Sequence, residues 1–138
     1  MNSISTKAKI GNNVKIDSFT TIHEDVEIGK NSWIGSNVTI FPGARIGENC
    51  KIYPGSVIAS TPQDLKFNNE KTIAKIGDNS IIREYVTINK GTSATKKTEV
   101  GDNCFIMSYC HIAHDCIVGD NSILANAVNL AGHVTIKN

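Results

Sequence analysis

One aliphatic side chain recurs every six residues along nearly the whole chain. The series runs Ile4, Ile10, Ile16, Ile22, Ile28, Ile34, Ile40, Ile46, Ile52, Ile58. It resumes at Ile76, Ile82, Ile88, Val100, Ile106, Ile112, Val118, Leu124, Leu130 and Ile136. Of the 23 positions on this phase between 4 and 136, 20 are aliphatic, and the exceptions Asp64, Glu70 and Ala94 mark where the pattern is interrupted. An α-helix repeats every 3.6 residues and a plain strand every two, so a period of six fits neither.

A second phase carries small or β-branched residues two positions before each aliphatic, among them Ala8, Val14, Thr20, Ser32, Ala44, Cys50, Ser56, Ser80, Cys104, Cys110 and Cys116. A spacing of two sends both side chains to the same face of a short strand. Between strands stands a three-residue corner, and seven of these read Gly-x-Asn, as in Gly11-Asn12-Asn13 and Gly101-Asp102-Asn103. Glycine and asparagine tolerate the positive φ that sharp corners require. Short strands with a corner every six residues predict a parallel β-helix, a solenoid of triangular coils of about 18 residues stacked about 4.8 Å apart. Each buried aliphatic contributes roughly 1.5–3 kcal/mol before entropy is counted, so the core needs neither disulfide nor metal.

With 138 residues the chain makes one domain, 1–138, of ordinary soluble composition: 40% hydrophobic and 20% charged. A net charge of +1 argues against a nucleic-acid binder. No apolar run reaches the ~18 residues of a membrane span, and the N-terminus lacks the apolar stretch of a signal peptide. The expected location is cytoplasmic, where the four cysteines stay reduced.

The stretch SYCHIAHDCIVGD, residues 108–120, invites a metal reading through Cys110, His111, His114 and Cys116. A zinc site needs its ligands to converge on one point. The period instead sends the cysteines inward as small apolar residues, His111 outward, and His114 to a corner.

Two segments abandon the repeat, one near 59–75 and one near 89–99. Loops thrown out from a regular scaffold are where function concentrates. Either the 18-residue register runs straight through them, with Ala94 opening a turn, or they are insertions of twelve and six residues. Both alternatives align the corners near the loops, Ala113-His114-Asp115 and Ala131-Gly132-His133 along one edge. A histidine beside a carboxylate suits general-base work, because its pKa lies near neutrality. The sequence leaves open whether Asp115 points at His114.

The segments PQDLK (Pro62–Lys66), IREYVTINKGT (Ile82–Thr92), HIAHDC (His111–Cys116) and LAGHV (Leu130–Val134) resemble the UDP-N-acetylglucosamine O-acyltransferases that open lipid A synthesis. The resemblance covers essentially the whole chain. It implies a left-handed parallel β-helix and a homotrimer with sites between subunits. It also implies transfer of an (R)-3-hydroxyacyl group from acyl carrier protein to the sugar 3-hydroxyl, with no cofactor or metal. By match to HIAHDC, His114 is the general base and Asp115 orients it. By match to LAGHV, the Gly132 N–H stabilises the oxyanion, and His111 and His133 contact substrate. By match to PQDLK, Gln63, Asp64 and Lys66 line the sugar-nucleotide pocket. Lys90, Lys96 and Lys97 form a basic cluster whose plain reading is solvated surface.

The family continues with further coils and a C-terminal helical domain, whereas this chain stops at Asn138 within the repeat, so a truncated form of the enzyme is expected. The alternatives are another hexapeptide-repeat acetyl- or acyltransferase and an inactive scaffold fragment.

Overall fold

The computed structural model describes all 138 residues. Twenty short strands and no helix make up the chain, so no helix is long and apolar enough to cross a membrane. The strands form three parallel sheets of seven, seven and six, wound as a left-handed parallel β-helix, the hand opposite to the usual crossover. In a regular coil the chain visits the three sheets in turn and returns after 18 residues, pairing Ile4 with Ile22 and Ile22 with Ile40.

The period of six is the reason for this shape. Its aliphatic phase lines the axis: Ile34, Ile40, Ile52, Ile58, Ile82, Ile88, Ile106 and Ile112 are fully buried. The small phase fills the space beside the corners and often carries a polar atom there. Thr20, Ser32 and Ser80 donate their hydroxyls to the Gly35, Gly47 and Gly101 carbonyls at 2.7–2.9 Å. Cys50, Cys104, Cys110 and Cys116 occupy the same slot as free, buried thiols, directing Sγ at the Gly77, Gly119, Ala125 and Ala131 carbonyls. Burial raises each thiol pKa, since a thiolate there would lose its hydration. The cysteines are thus core residues that satisfy corner carbonyls, which a metal would take from them.

The third corner residue is left-handed. Asn13, Asn31, Asn49, Asn79, Asn103 and Asn121 all have φ between 56° and 63°, a region asparagine enters at less cost than most residues.

The interruptions are insertions. Ile58 pairs with Ile88, a step of 30 residues, and Ile88 with Ile112, a step of 24. Ala94 therefore opens no coil. Irregular backbone is confined to 61–72 and 90–96, because strands Val57–Ser60, Ile73–Ile76 and Lys97–Val100 extend into the loop bases. The return strands pair directly, Ile73 with Lys97 and Ala74 with Thr98. Both excursions leave the corner between the first and second sheets, where Ala113-His114-Asp115 and Ala131-Gly132-His133 also lie.

Candidate active site

His114 and Asp115 follow the strand His111–Ile112 at that corner. Asp115 takes the left-handed position, φ 62°, that asparagine holds elsewhere, and His133 holds it one coil on, φ 65°. The His133 N–H donates to the His114 carbonyl at 3.1 Å and ties the two corners together.

The Asp115 side chain is completely buried. Its Oδ2 meets His114 Nδ1 at 2.8 Å and accepts the Thr92 hydroxyl at 2.5 Å. Its Oδ1 accepts the Thr92 N–H at 3.0 Å and the Thr95 hydroxyl at 2.6 Å. Its own N–H donates to Thr98 Oγ1 at 2.9 Å. Burial alone would raise the Asp115 pKa. The Thr92 and Thr95 hydroxyls, the His114 ring and the Thr92 N–H override it and hold the carboxyl well below the usual carboxylate range. An ionised carboxylate has no proton to give, so the proton between the two residues sits on His114 Nδ1. With that proton on Nδ1, the neutral form of the ring has its unshared pair on Nε2, the arrangement a general base needs.

The His114 imidazole lies against Gly132. A β-carbon there would stand 2.5 Å from Cε1 and 2.7 Å from Nε2, closer than real Cβ atoms approach anything. The Gly132 N–H makes no backbone hydrogen bond. His133 closes the group from its exposed side, its ring edge-on to His114 at 5.1 Å between centroids and its Nε2 3.8 Å from Asp115 Oδ2.

His111 points outward from its strand and shares a 2.7 Å hydrogen bond with Thr87 across the ladder. The bond ties one ring nitrogen, Nδ1, to the neighbouring coil and leaves Nε2 free of protein partners. Burial lowers the His111 pKa and so favours the neutral ring.

His114, Asp115, Gly132 and His133 thus come together, with His111 on the preceding strand. Gln63 and Lys66 stand exposed on the first excursion, and Asp64 is half-buried, its Oδ1 accepting the Lys66 N–H at 2.9 Å in a tight local turn. No hydrogen bond or ion pair links these three to the histidines. Thr87, Thr92, Thr95 and Thr98 were not visible as site residues in the sequence. Thr98 does sit on the small phase, two before Val100, but Thr92 and Thr95 lie where the period is broken.

The ligand atoms of His114, Asp115 and His133 lie within 4.8 Å of one another, a spacing open to a cation. The four acceptor positions of the Asp115 carboxylate are already filled by protein donors, and a cation would have to displace one. Concave regions of the single chain lie elsewhere, such as that between Lys9–Gly11 and Glu27–Gly29, and none borders His114.

The chain matches the bacterial transferase hexapeptide family (six repeats) over residues 7–42, 25–60 and 97–132. It is 44% identical over 135 residues to an acyl-[acyl-carrier-protein]–UDP-N-acetylglucosamine O-acyltransferase of Thermodesulfovibrio yellowstonii, covering 97% of this chain and 52% of the relative. It is 40% identical to the enzyme of that name from Campylobacter concisus, covering 96% and 52%. The crystal structure of a UDP-N-acetylglucosamine acyltransferase from Bacteroides fragilis superposes with a TM-score of 0.96 at 46% identity, over 97% of this chain and 52% of that one. The chain spans about half the length of the curated relatives it matches.

Proposed function

The chain belongs to the bacterial transferase hexapeptide family, and we propose that it carries the acyl-transfer site of a UDP-N-acetylglucosamine O-acyltransferase. The observation that carries this reading is the His114–Asp115 pair, bonded through Nδ1 with Nε2 left free, its ring packed against the α-carbon side of Gly132. The similarity to O-acyltransferases across 97% of the chain supports the choice of reaction.

In the proposed reaction His114 Nε2 takes the proton of the sugar 3-hydroxyl as that oxygen bonds to the thioester carbonyl carbon of an (R)-3-hydroxyacyl carrier protein. The carbonyl electron pair moves onto oxygen, and the Gly132 N–H donates to the resulting oxyanion. Asp115 holds the ring and stabilises the imidazolium that forms. Collapse restores the carbonyl and breaks the C–S bond, and the departing thiolate recovers the proton from His114. His111, through its free Nε2, and the exposed His133 contact the substrate, while Gln63, Asp64 and Lys66 line the sugar-nucleotide pocket. The reaction is the first step of lipid A synthesis, in the cytoplasm.

The histidine group lies on a corner with no single-chain cavity beside it. In the proposed assembly the protein is a homotrimer in which a neighbouring copy supplies the opposite wall of a cleft at this corner.

The test is mass spectrometry of UDP-N-acetylglucosamine after incubation with the chain and hydroxyacyl carrier protein, with His114→Ala as control. Acylated sugar nucleotide from the wild type alone is expected. Product from both proteins would remove His114 as the base, and product from neither would reject the reaction for this chain.

A further inference from the structure

The second excursion gives Asp115 more hydrogen bonds than His114 does. Thr92 binds the carboxylate twice, by its N–H to Oδ1 and its hydroxyl to Oδ2. Thr95 adds its hydroxyl at 2.6 Å and its N–H at 3.4 Å, both to Oδ1. Without the Thr92 and Thr95 hydroxyls, Oδ2 would keep only His114, and Oδ1 only two backbone N–H groups, in a place water does not reach. An ionised group with so few partners is costly to bury. It would turn toward water, and turning about its last torsion takes Oδ2 away from Nδ1.

The loop is built to hold its threonines still. Gly91 backs directly onto the main chain of Lys96 and Lys97, so close that no β-carbon fits. The Lys96 N–H closes the turn onto the Thr92 carbonyl at 2.8 Å. The neck is fastened to the first excursion as well: the Gly91 N–H donates to Ile73 O at 3.1 Å, and the buried Thr72 hydroxyl donates to Gly91 O at 2.5 Å. Thr98, at the end of the return, takes the Asp115 N–H and anchors its main chain. The six residues added to this coil thus end as a clasp around one carboxylate.

We propose that Thr92 and Thr95 are positioning residues for the His114–Asp115 pair, holding the Asp115 carboxylate in the orientation in which Oδ2 receives the proton on His114 Nδ1. The second excursion serves the base from within the chain, whatever its lysines meet outside. The kinetic consequence rests on His114 acting as the base proposed above, whereas the clasp is a property of the folded chain and is tested without turnover.

The test compares the wild-type chain, labelled with 15N-histidine, with Thr92→Val/Thr95→Val and Thr92→Ser/Thr95→Ser double variants. Proton and nitrogen NMR report whether His114 carries its proton on Nδ1 and whether that proton is protected from exchange. Wild type and the serine variant are expected to show one Nδ1–H tautomer with a downfield, observable proton. The valine variant is expected to lose that signal and populate the Nε2–H tautomer. Retention of the signal in a folded valine variant, or its absence in wild type, overturns the proposal. Should the valine double variant not fold, the single Thr95→Val change at an exposed loop position reads the same signal: a fall in its intensity supports the clasp, and an unchanged one overturns it. Where the wild type turns over, the valine variant is expected to lose roughly 10–100-fold in kcat at unchanged KM, with serine restoring it. A wild type that does not turn over rejects the proposed function and leaves the NMR result to judge the clasp.

Discussion

Replacing Gly132 with alanine adds one carbon where the His114 ring already sits. That carbon would lie 2.5 Å from Cε1 and 2.7 Å from Nε2, and ordinary contact begins near 3.4 Å. The ring edge must therefore withdraw by about 0.9 Å, and Asp115, held by Thr92 and Thr95, does not follow it. A displacement of that size at a reacting group costs on the order of 100-fold in rate, about 2.7 kcal/mol in the barrier. The Gly132 N–H survives the substitution, so the loss isolates the seating of the base from the oxyanion contact. Steady-state acyl transfer is expected to show kcat reduced by about two orders of magnitude with KM little changed. The melting temperature should barely move, because Gly132 stands on a half-exposed corner. A Gly132→Ala variant with full kcat and an unshifted His114 Cε1–H resonance would refute the steric reasoning.

Acid should weaken the fold through Asp115. Its folded pKa is depressed, so its stabilisation is present above the unfolded value of about 4 and fades as the pH falls below it. Urea midpoints for wild type and Asp115→Asn are expected to differ most at pH 6–7 and to converge toward pH 2; a gap that widens on acidification would contradict the bonding described. Ile106→Ala, at a fully buried point of the axis, is expected to cost about 2–5 kcal/mol in denaturant unfolding. The four cysteines should resist a thiol reagent in the native chain and all react in guanidinium, since each is buried with its pKa raised. Rapid native labelling of Cys104 or Cys116 would place those side chains outside the core.

The solenoid is legible in the sequence because one physical rule repeats in every coil. Ile22, Ile40, Ile58, Ile88 and Ile112 face the same axis from successive turns, and each states the rule again. The loops hide in the same rule. Insertions of twelve and six are multiples of the period, so Ile88 and Val100 fall on phase whether the chain runs straight or detours, and only the pairing of Ile58 with Ile88 decides. The site is half visible. His114, Asp115 and His133 share an edge by arithmetic alone, but the 2.8 Å bond between the first two depends on side-chain torsions that the period does not constrain. Thr92 and Thr95 are less accessible still, because a non-repeating loop carries no register from which to place a hydroxyl.

The His133 N–H bond to the His114 carbonyl crosses from one turn of the solenoid to the next. His114 and Asp115 belong to one turn, Gly132 and His133 to its neighbour, and the two corners are joined by backbone bonds of 2.7–3.1 Å, by the Cys116 thiol on Ala131 O and by the His114–His133 contact. A local parting of these two turns would disassemble the chemistry and leave the remaining core in place. Heating would then silence the site while the bulk of the β-signal persists, and the temperature at which the protein stops working would lie below the one at which it melts.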